Sequence, residues 1–579
     1  MIWAAVIFFP LVLAGLLILP RFKDLICRHG LWLACIPACV LAVAGTDADP
    51  ARFPFLFLGA FLHFGEFGRV FLLLTSVLWA ASGLFAAGYF SKDRLGAVRF
   101  SLFFLLTLCG NLGLCLAQDL SSFYAFFALM SFSAYGLIVH EGTDKALRAG
   151  RVYLVMTVLG EVCLAACFFY AGLAAPDMHS LSFAEVVPAL RGHPHEAVVL
   201  TLAYIGFGIK AGALVLHFWL PLAHPAAPIP ASAVLSGAMI KAGLLGWLRM
   251  FNPGEPRQWG IVLAWLGICA AVYGVLAGVR RKDPKTILAY SSISQMGLMT
   301  MALGFILVGG KAGAGEVLSG LLFFVLVHGT AKGSLFLGVG PALAAGKRTA
   351  RGRIVLAGLI LASLVLAGLP LSAGAVVKLA LKHGAALLPG PWSGVFKAVL
   401  GFTAAGTMFL LSVFIRRVRD RMPDKNKVPD GKMFAAWAGL VVVLVLAVPL
   451  GRLLPFVHIQ SLAGAKQGLF PGLWPVGLGI LLAVIFLKTA WSAREPVGLD
   501  ERFLGLCEKV FAWLREKWRS GHYCDPACSR LDLEGWADRL LQTRWMLTVP
   551  DRLEHRLLYW HTAGVLFIVL LLVFVLLAS

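Results

Sequence analysis

The sequence predicts an all-α, polytopic membrane protein of about sixteen spans, and three observations predict it. Of its 579 residues, 60% are hydrophobic and only 14% charged, with mean hydropathy +0.85, which excludes an ordinary soluble domain. About sixteen runs are mainly apolar over the roughly 20 residues needed to cross a hydrocarbon core of about 30 Å. Lys and Arg crowd the connections 20–29, 91–99, 141–151, 280–285, 346–353 and 416–432 and are sparse between them. That alternation orients the chain: those loops, with 220–228 in phase, face the cytoplasm, and the N-terminus faces the other side. The net charge of +21 is therefore a topological signal, not a nucleic-acid footprint.

In order, the first run, 2–19, has no basic segment before it and no small-residue cleavage site after it, so it reads as a retained helix. Spans follow at 30–46 and 68–90, completing an N-terminal group within 1–99. The runs 100–118, 121–140, 152–173, 197–219 and 229–250 make a second group, 100–250. A third, 261–415, holds 261–279, 286–308, 317–345, 354–382 and 394–415. The runs at 317 and 354 are long enough to be bent or interrupted. Spans 434–455 and 473–491 close the bundle at 434–491. Residues 494–555 then alternate apolar and charged residues at helical spacing, with Trp513, Trp518, Trp536 and Trp545 among them. This reads as an amphipathic helix at the cytoplasmic interface, with a small domain as the alternative. The run 560–578 returns as an anchor.

Two stretches share a physical pattern. In GFGIKAGALVLHFWLPLAHPAAPIP, Lys210 precedes Pro221; in LVLAGLPLSAGAVVKLALK, Pro370 precedes Lys378. Pro- and Gly-interrupted spans in corresponding halves point to a transport site, because freed backbone groups are tolerated in a membrane only beside protein or water. A lysine near the bilayer centre costs roughly 2.5–3.5 kcal/mol on insertion scales and marks an ion path. Lys210, Lys241 and Lys378 are such lysines. His217, seven residues after Lys210, is expected on the same helical face, and His328 and Lys332 are expected on one face of a later helix. A lysine held from water beside other cations has its charged form disfavoured, the condition for releasing and regaining a proton, and histidine titrates near neutrality. Snorkelling is the competing role for Lys332, and a helix-end role competes for His224. Glu161 is the only carboxylate deep in a span and is expected to pair with Lys210; Asp119 and Glu66 stand at helix starts. The eleven cysteines suggest no disulfide framework. No nucleotide loop or cluster-type cysteine spacing is present, and His522, Cys524 and Cys528 are poorly spaced for metal. No cofactor and no metal is expected, so redox chemistry belongs to other subunits.

The stretches GFGIKAGALVLHFWLPLAHPAAPIPASAVLSGAMIKAGLLGWLR, DPKTILAYSSISQMG, HGTAKGSLFLGVG and GLPLSAGAVVK resemble the signatures of the antiporter-like membrane subunits of complex I. That wider group includes multisubunit cation/proton antiporters and membrane-bound nickel–iron hydrogenases, and HPAAP and SGAMIKAG are most similar to the large membrane subunits of hydrogenase-4 and formate hydrogenlyase. The resemblance covers about 60–415. It implies two inverted five-helix repeats, each with a broken helix and half a proton channel, and a C-terminal lateral helix. Lys210 would be the broken-helix lysine and Lys241 the connecting one. His328 and Lys332 would lie on the central axis, and Lys378 would exchange with the second half-channel. The family's fifth-helix glutamate is absent: FYAFFALMSFSAYG has Ala128 in its place. Either Glu161 replaces it, the favoured reading, or the first half-channel is altered or silent. The implied function is redox-coupled proton translocation beside other membrane subunits in a prokaryotic cytoplasmic membrane. A Na⁺/H⁺ antiporter subunit without a redox partner, or a scaffold with a decayed channel, are the alternatives.

Overall fold

A computed structural model describes residues 2–45, 50–53, 59–65, 67–175, 181–252, 259–424, 430–453 and 469–489. The segment 494–555, the anchor 560–578, the His522, Cys524 and Cys528 group and Glu66 lie outside the described residues. The chain is predominantly helical. Its helices are α1 (Ile2–Leu16), α2 (Pro20–Ala44), α3 (Gly68–Tyr89), α4 (Arg94–Leu116), α5 (Leu120–Ile138), α6 (Asp144–Gly172), α7 (Phe183–Ala189), α8 (Glu196–Ala211), α9 (Leu220–Ala226) and α10 (Ile229–Met250). After these come α11 (Trp259–Gly278), α12 (Pro284–Gly310), α13 (Gly315–Ala344), α14 (Ala350–Ala367), α15 (Ala373–Ala386), α16 (Trp392–Arg421), α17 (Gly431–Val445), α18 (Ala447–Leu453) and α19 (Leu469–Lys488). Among the described residues, 11 helices are long and apolar enough to cross a membrane, or 12 if α17 and α18, bent by 66°, form one span.

Polar side chains start many of these helices. Asp93, Asp119, Thr143, Asp283, Thr349 and Asp430 each accept a hydrogen bond from a first-turn backbone N–H, satisfying donors that the helix leaves free. Burial then sorts the helices. In their apolar windows α10 is 100% buried, α13 94% and α12 89%, whereas α6 is 39% and α11 and α14 are 50% buried. With α4, also 89% buried, the first three are the centre of the bundle and the others lie at its rim. Helices α11 and α12 meet backbone to backbone: a Cβ added at Gly267 would lie 2.5 Å from the Gly297 carbonyl oxygen, and one at Gly304 2.5 Å from that of Gly260. Small residues allow the close packing that replaces hydrophobic drive between helices in lipid.

The structure adds to the expected elements in one connection and interrupts or bends several of the expected spans, 354–382 among them as its length allowed. The connection 47–67 contains a hairpin, β1 (Ala51–Phe53) against β2 (Ala60–Leu62), paired Ala51 to Leu62 and Phe53 to Ala60. Isolated bridges from Leu62 to Ala117 and from Asp119 to Ser182 extend it, because loop backbone that covers helix ends needs partners. The expected span 197–219 stops at Ala211, and 354–382 divides into α14 and α15. The run 434–455 bends by 66° between α17 and α18, and the run 473–491 is α19, 20 residues long.

Candidate functional site

Two helix breaks frame the site, and their backbones match. At the end of α8, Gly212 adopts φ +70°; the Ala213 N–H donates to the Gly208 carbonyl and the Gly212 N–H to that of Ile209. At the end of α14, Gly368 adopts φ +83°; Leu369 donates to Leu364 and Gly368 to Val365. Both are glycine-capped ends of the same type. Three residues further on, Val215 and Leu371 also take positive φ, 71° and 67°. The lysines approach these ends from opposite directions along the chain. Lys210 lies in the last turn of α8, whereas Lys378 is on α15, beyond its break, and its ammonium reaches back to the Ala367 carbonyl. Each cation thus sits at the negative end of a half-helix dipole.

Around the first break, Lys210 Nζ donates to the Tyr153 hydroxyl at 2.9 Å, and that hydroxyl donates to the Ser131 carbonyl at 2.7 Å. The ammonium also lies over the rings of Tyr153 and Phe127, at 5.3 and 5.9 Å, contacts that partly replace lost hydration. Trp219 Nε1 donates to the Ile209 carbonyl as well, beside the Gly212 N–H. Glu161, 5% exposed, lines the same small cavity with Lys210, Tyr153, Thr157 and Ser131. The expected pairing is not a direct contact: Glu161 shares this space with Lys210, and neither carboxylate oxygen has a hydrogen bond among the described residues.

At the centre, Leu235–Met239 wind as a wider π turn inside α10, a distortion common at functional sites. Lys241 Nζ donates to the Ser236 carbonyl of that turn at 2.6 Å. The Ser236 and Ser292 hydroxyl oxygens are 2.6 Å apart, Ser292 bonds the Leu288 carbonyl at 2.9 Å, and Lys332 Nζ donates to the same carbonyl at 2.9 Å. Lys241, Lys332, His328 and His224 are each 0% exposed. Lys241 and Lys332 act on each other and on both histidines electrostatically. The ring nitrogens of His224 and His328 are buried with no hydrogen bond among the described residues, the kind of group that internal water serves.

The third group surrounds Lys378, half-buried in a small cavity with Gln295, Phe324, Val327 and Gly374. Gln295 stands three residues after Ser292 on α12 and donates to the Thr407 hydroxyl at 3.0 Å. Helices α12 and α13 thus contribute to both the central group and the third.

His217 corrects an expectation. It lies in the break after α8, so it shares no helical face with Lys210; its ring packs on Tyr273 of α11, centroids 4.9 Å apart. His328 and Lys332 do lie on one helix, α13. Sequence reasoning missed Tyr153, Trp219, Ser236, Ser292 and Gln295. The run SSISQ inside an otherwise apolar span was the available signal for the last two.

Residues 117–401 match the family model described as NADH:quinone oxidoreductase/Mrp antiporter, transmembrane, and over this stretch the resemblance carried by the motifs stands. The chain is 32% identical over 304 residues to hydrogenase-4 component B of Escherichia coli K12, covering 50% of this chain and 44% of that one. It is 30% identical over 294 residues to NADH-quinone oxidoreductase subunit M of Rickettsia typhi, covering 49% and 56%. These matches span about half the length of either relative. Among solved structures, a chain of the Mrp complex from Dietzia sp. DQ12-45-1b superposes with TM-score 0.72 at 23% identity, over 93% of this chain and 62% of that one. A chain of the membrane-bound sulfane sulfur reductase, an archaeal respiratory complex, gives 0.64 at 22% identity, over 82% and 99%. The chain has their fold: it is a multi-pass membrane protein.

Proposed function

We propose that this chain is the proton-translocating membrane subunit of a complex I-like or membrane-hydrogenase-like assembly in a prokaryotic cytoplasmic membrane. It moves H⁺ along a buried Lys/His row while redox chemistry proceeds on other subunits. The observation that carries the reading is the inward placement of the row: Lys210, Lys241 and Lys332 are 4%, 0% and 0% exposed, and each ammonium donates to a carbonyl or a phenol. Lipid-facing lysines would snorkel toward the headgroups instead. Two cavities, at Lys210 and at Lys378, stand at matching helix breaks, as expected of two half-channels joined by a central axis.

Glu161 takes the place left by Ala128 in this scheme. Its carboxylate shares the Lys210 cavity, so a proton on Glu161 and a charge on Lys210 are alternatives that redox-linked fields can switch. In order, Glu161 and Lys210 handle the first half-channel, Lys241, His328 and Lys332 the axis, and Lys378 the second half-channel. His217 stands beside the first break and His224 beside the axis. The similarity to hydrogenase-4 component B and to a quinone oxidoreductase subunit favours a redox-driven assembly. The fold likeness to an Mrp chain supports the second reading, a Na⁺/H⁺ antiporter subunit.

The test is proton pumping by the intact assembly in proteoliposomes, read by a pH-sensitive dye. Lys210→Ala, Lys378→Ala and Glu161→Gln should each abolish pumping while the assembly stays intact on native gels. Unchanged pumping in the lysine variants rejects the function, and unchanged pumping in Glu161→Gln alone rejects that residue's role. Pumping that requires Na⁺ and no electron donor selects the antiporter reading.

A further inference from the structure

We infer that the paired hydroxyls of Ser236 and Ser292 form the proton relay between Lys241 and Lys332, and so the link between the two halves of the molecule. The inference rests on the function proposed above and deepens it. Each lysine is anchored on the backbone of one of these serines or of its own turn. Lys241 Nζ lies 2.6 Å from the Ser236 carbonyl, and Lys332 Nζ lies 2.9 Å from the Leu288 carbonyl one turn before Ser292. Between the anchors stand the two hydroxyls, 2.6 Å apart and both 0% exposed.

A serine bonded to the carbonyl four residues back is ordinary in a membrane helix, and Ser292 has that bond. The contact across to Ser236 is what lies outside that pattern. It joins α10 to α12 at the π turn whose carbonyl holds Lys241. Each hydroxyl has one proton to give and two lone pairs to accept with, so the pair has two settings. In one, Ser236 donates to Ser292 and Ser292 to Leu288. In the other, Ser292 donates to Ser236, and Ser236 turns toward Lys241.

The lysines choose between these settings. The Leu288 carbonyl, with two lone pairs, already accepts the helical N–H of Ser292. Lys332 and the Ser292 hydroxyl both reach that carbonyl, at 2.9 Å each, so a charged Lys332 competes with the Ser292 hydroxyl for it and favours the setting in which Ser292 turns toward Ser236. A neutral Lys332 is a weaker donor to it than an ammonium, and the balance shifts back toward the Ser292 hydroxyl. The charge on one lysine is therefore reported to the other as a reversal of two hydroxyl dipoles, in an interior where dipoles act with little screening.

The same pair passes a proton when each amine swings from its carbonyl onto the neighbouring hydroxyl. The Lys241 ammonium gives its proton to Ser236 Oγ as Ser236 gives its own to Ser292 Oγ and Ser292 gives its own to the Lys332 amine. Three N–H or O–H bonds break and three form, one positive charge moves from Lys241 to Lys332, and no electron changes hands. Rotation of the two hydroxyls resets the relay.

The experiment uses the intact assembly in proteoliposomes with Ser236→Ala, Ser292→Ala, the double variant and Ser292→Cys, the last close in size with an exchangeable proton. Loss of a positioned proton donor costs about tenfold or more, so each alanine variant should pump about tenfold slower with assembly unchanged. The double variant should be no worse than either single one, because two halves of one relay fail together. Ser292→Cys should recover most of the rate. Near-normal pumping in both alanine variants, with Lys210→Ala and Lys378→Ala inactive, overturns the relay and leaves the function standing. Losses that multiply to about a hundredfold in the double variant, with no rescue by cysteine, also overturn it, since packing would then be the serines' role. Normal pumping in every variant, lysines included, overturns relay and function together.

Discussion

A lysine in a membrane span is costly wherever it faces lipid, and that cost made Lys210, Lys241 and Lys378 legible before any coordinates. What each ammonium touches was not legible. Tyr153 is 57 residues from Lys210 in sequence, and Leu288 is 44 from Lys332; spacing within one helix carries no information on partners supplied by another. The same limit explains His217, whose expected face presumed a helix that continues past Ala211. Just past the end of α5, His140 illustrates a buried group away from the row. Burial, then the charge of Arg99, lowers its pKa from 6.5 to about 3. The folded chain therefore refuses a proton that the unfolded chain accepts between those values, and stability falls as pH drops below about 6.5. The thermal midpoint of the detergent-solubilised protein should decline from pH 7 to pH 5, and His140→Gln should flatten that slope. An equal slope in the variant would show that other groups set it.

Among the elements, the breaks were announced by Pro221, Pro370 and the glycines near them, and their existence follows from chain chemistry. That the two interruptions correspond was readable too; what was not visible is their shared backbone conformation, a left-handed glycine, then a second left-handed residue three positions on, Val215 or Leu371, that carries no sequence mark. The π turn in α10 is equally silent in the letters. Gly368 is tested most sharply by substitution. An alanine there takes on left-handed strain of roughly 1–2 kcal/mol, and its Cβ would lie 2.5 Å from Lys378 Cδ, so the ammonium must leave the Ala367 carbonyl. Gly390 has a similar φ, +57°, with nothing within 4 Å of a Cβ. Gly368→Ala should therefore lower pumping far more than Gly390→Ala, although both lose similar stability. Equal pumping in the two variants would detach Lys378 from the break.

At the scale of the whole molecule, alternating basic loops predict which side each connection faces, and labelling tests that directly. In a background with the native cysteines replaced, Arg348→Cys should react with a membrane-impermeant maleimide only from the cytoplasmic face, and Arg191→Cys only from the opposite face. Both labelled from one side would mean that the count of spans between them has the wrong parity. The sequence by itself determined that the chain is helical and crosses a membrane many times, since hydropathy and loop charge act on each segment independently of its neighbours. It also determined which residues are too polar to face lipid. Only the tertiary structure decided that α10, α12 and α13 form the buried centre, that Glu161 shares a cavity with Lys210, and that Ser236 meets Ser292. Those are contacts between segments far apart in the chain, and they exist only where packing brings one helix's polar groups within hydrogen-bonding distance of another's.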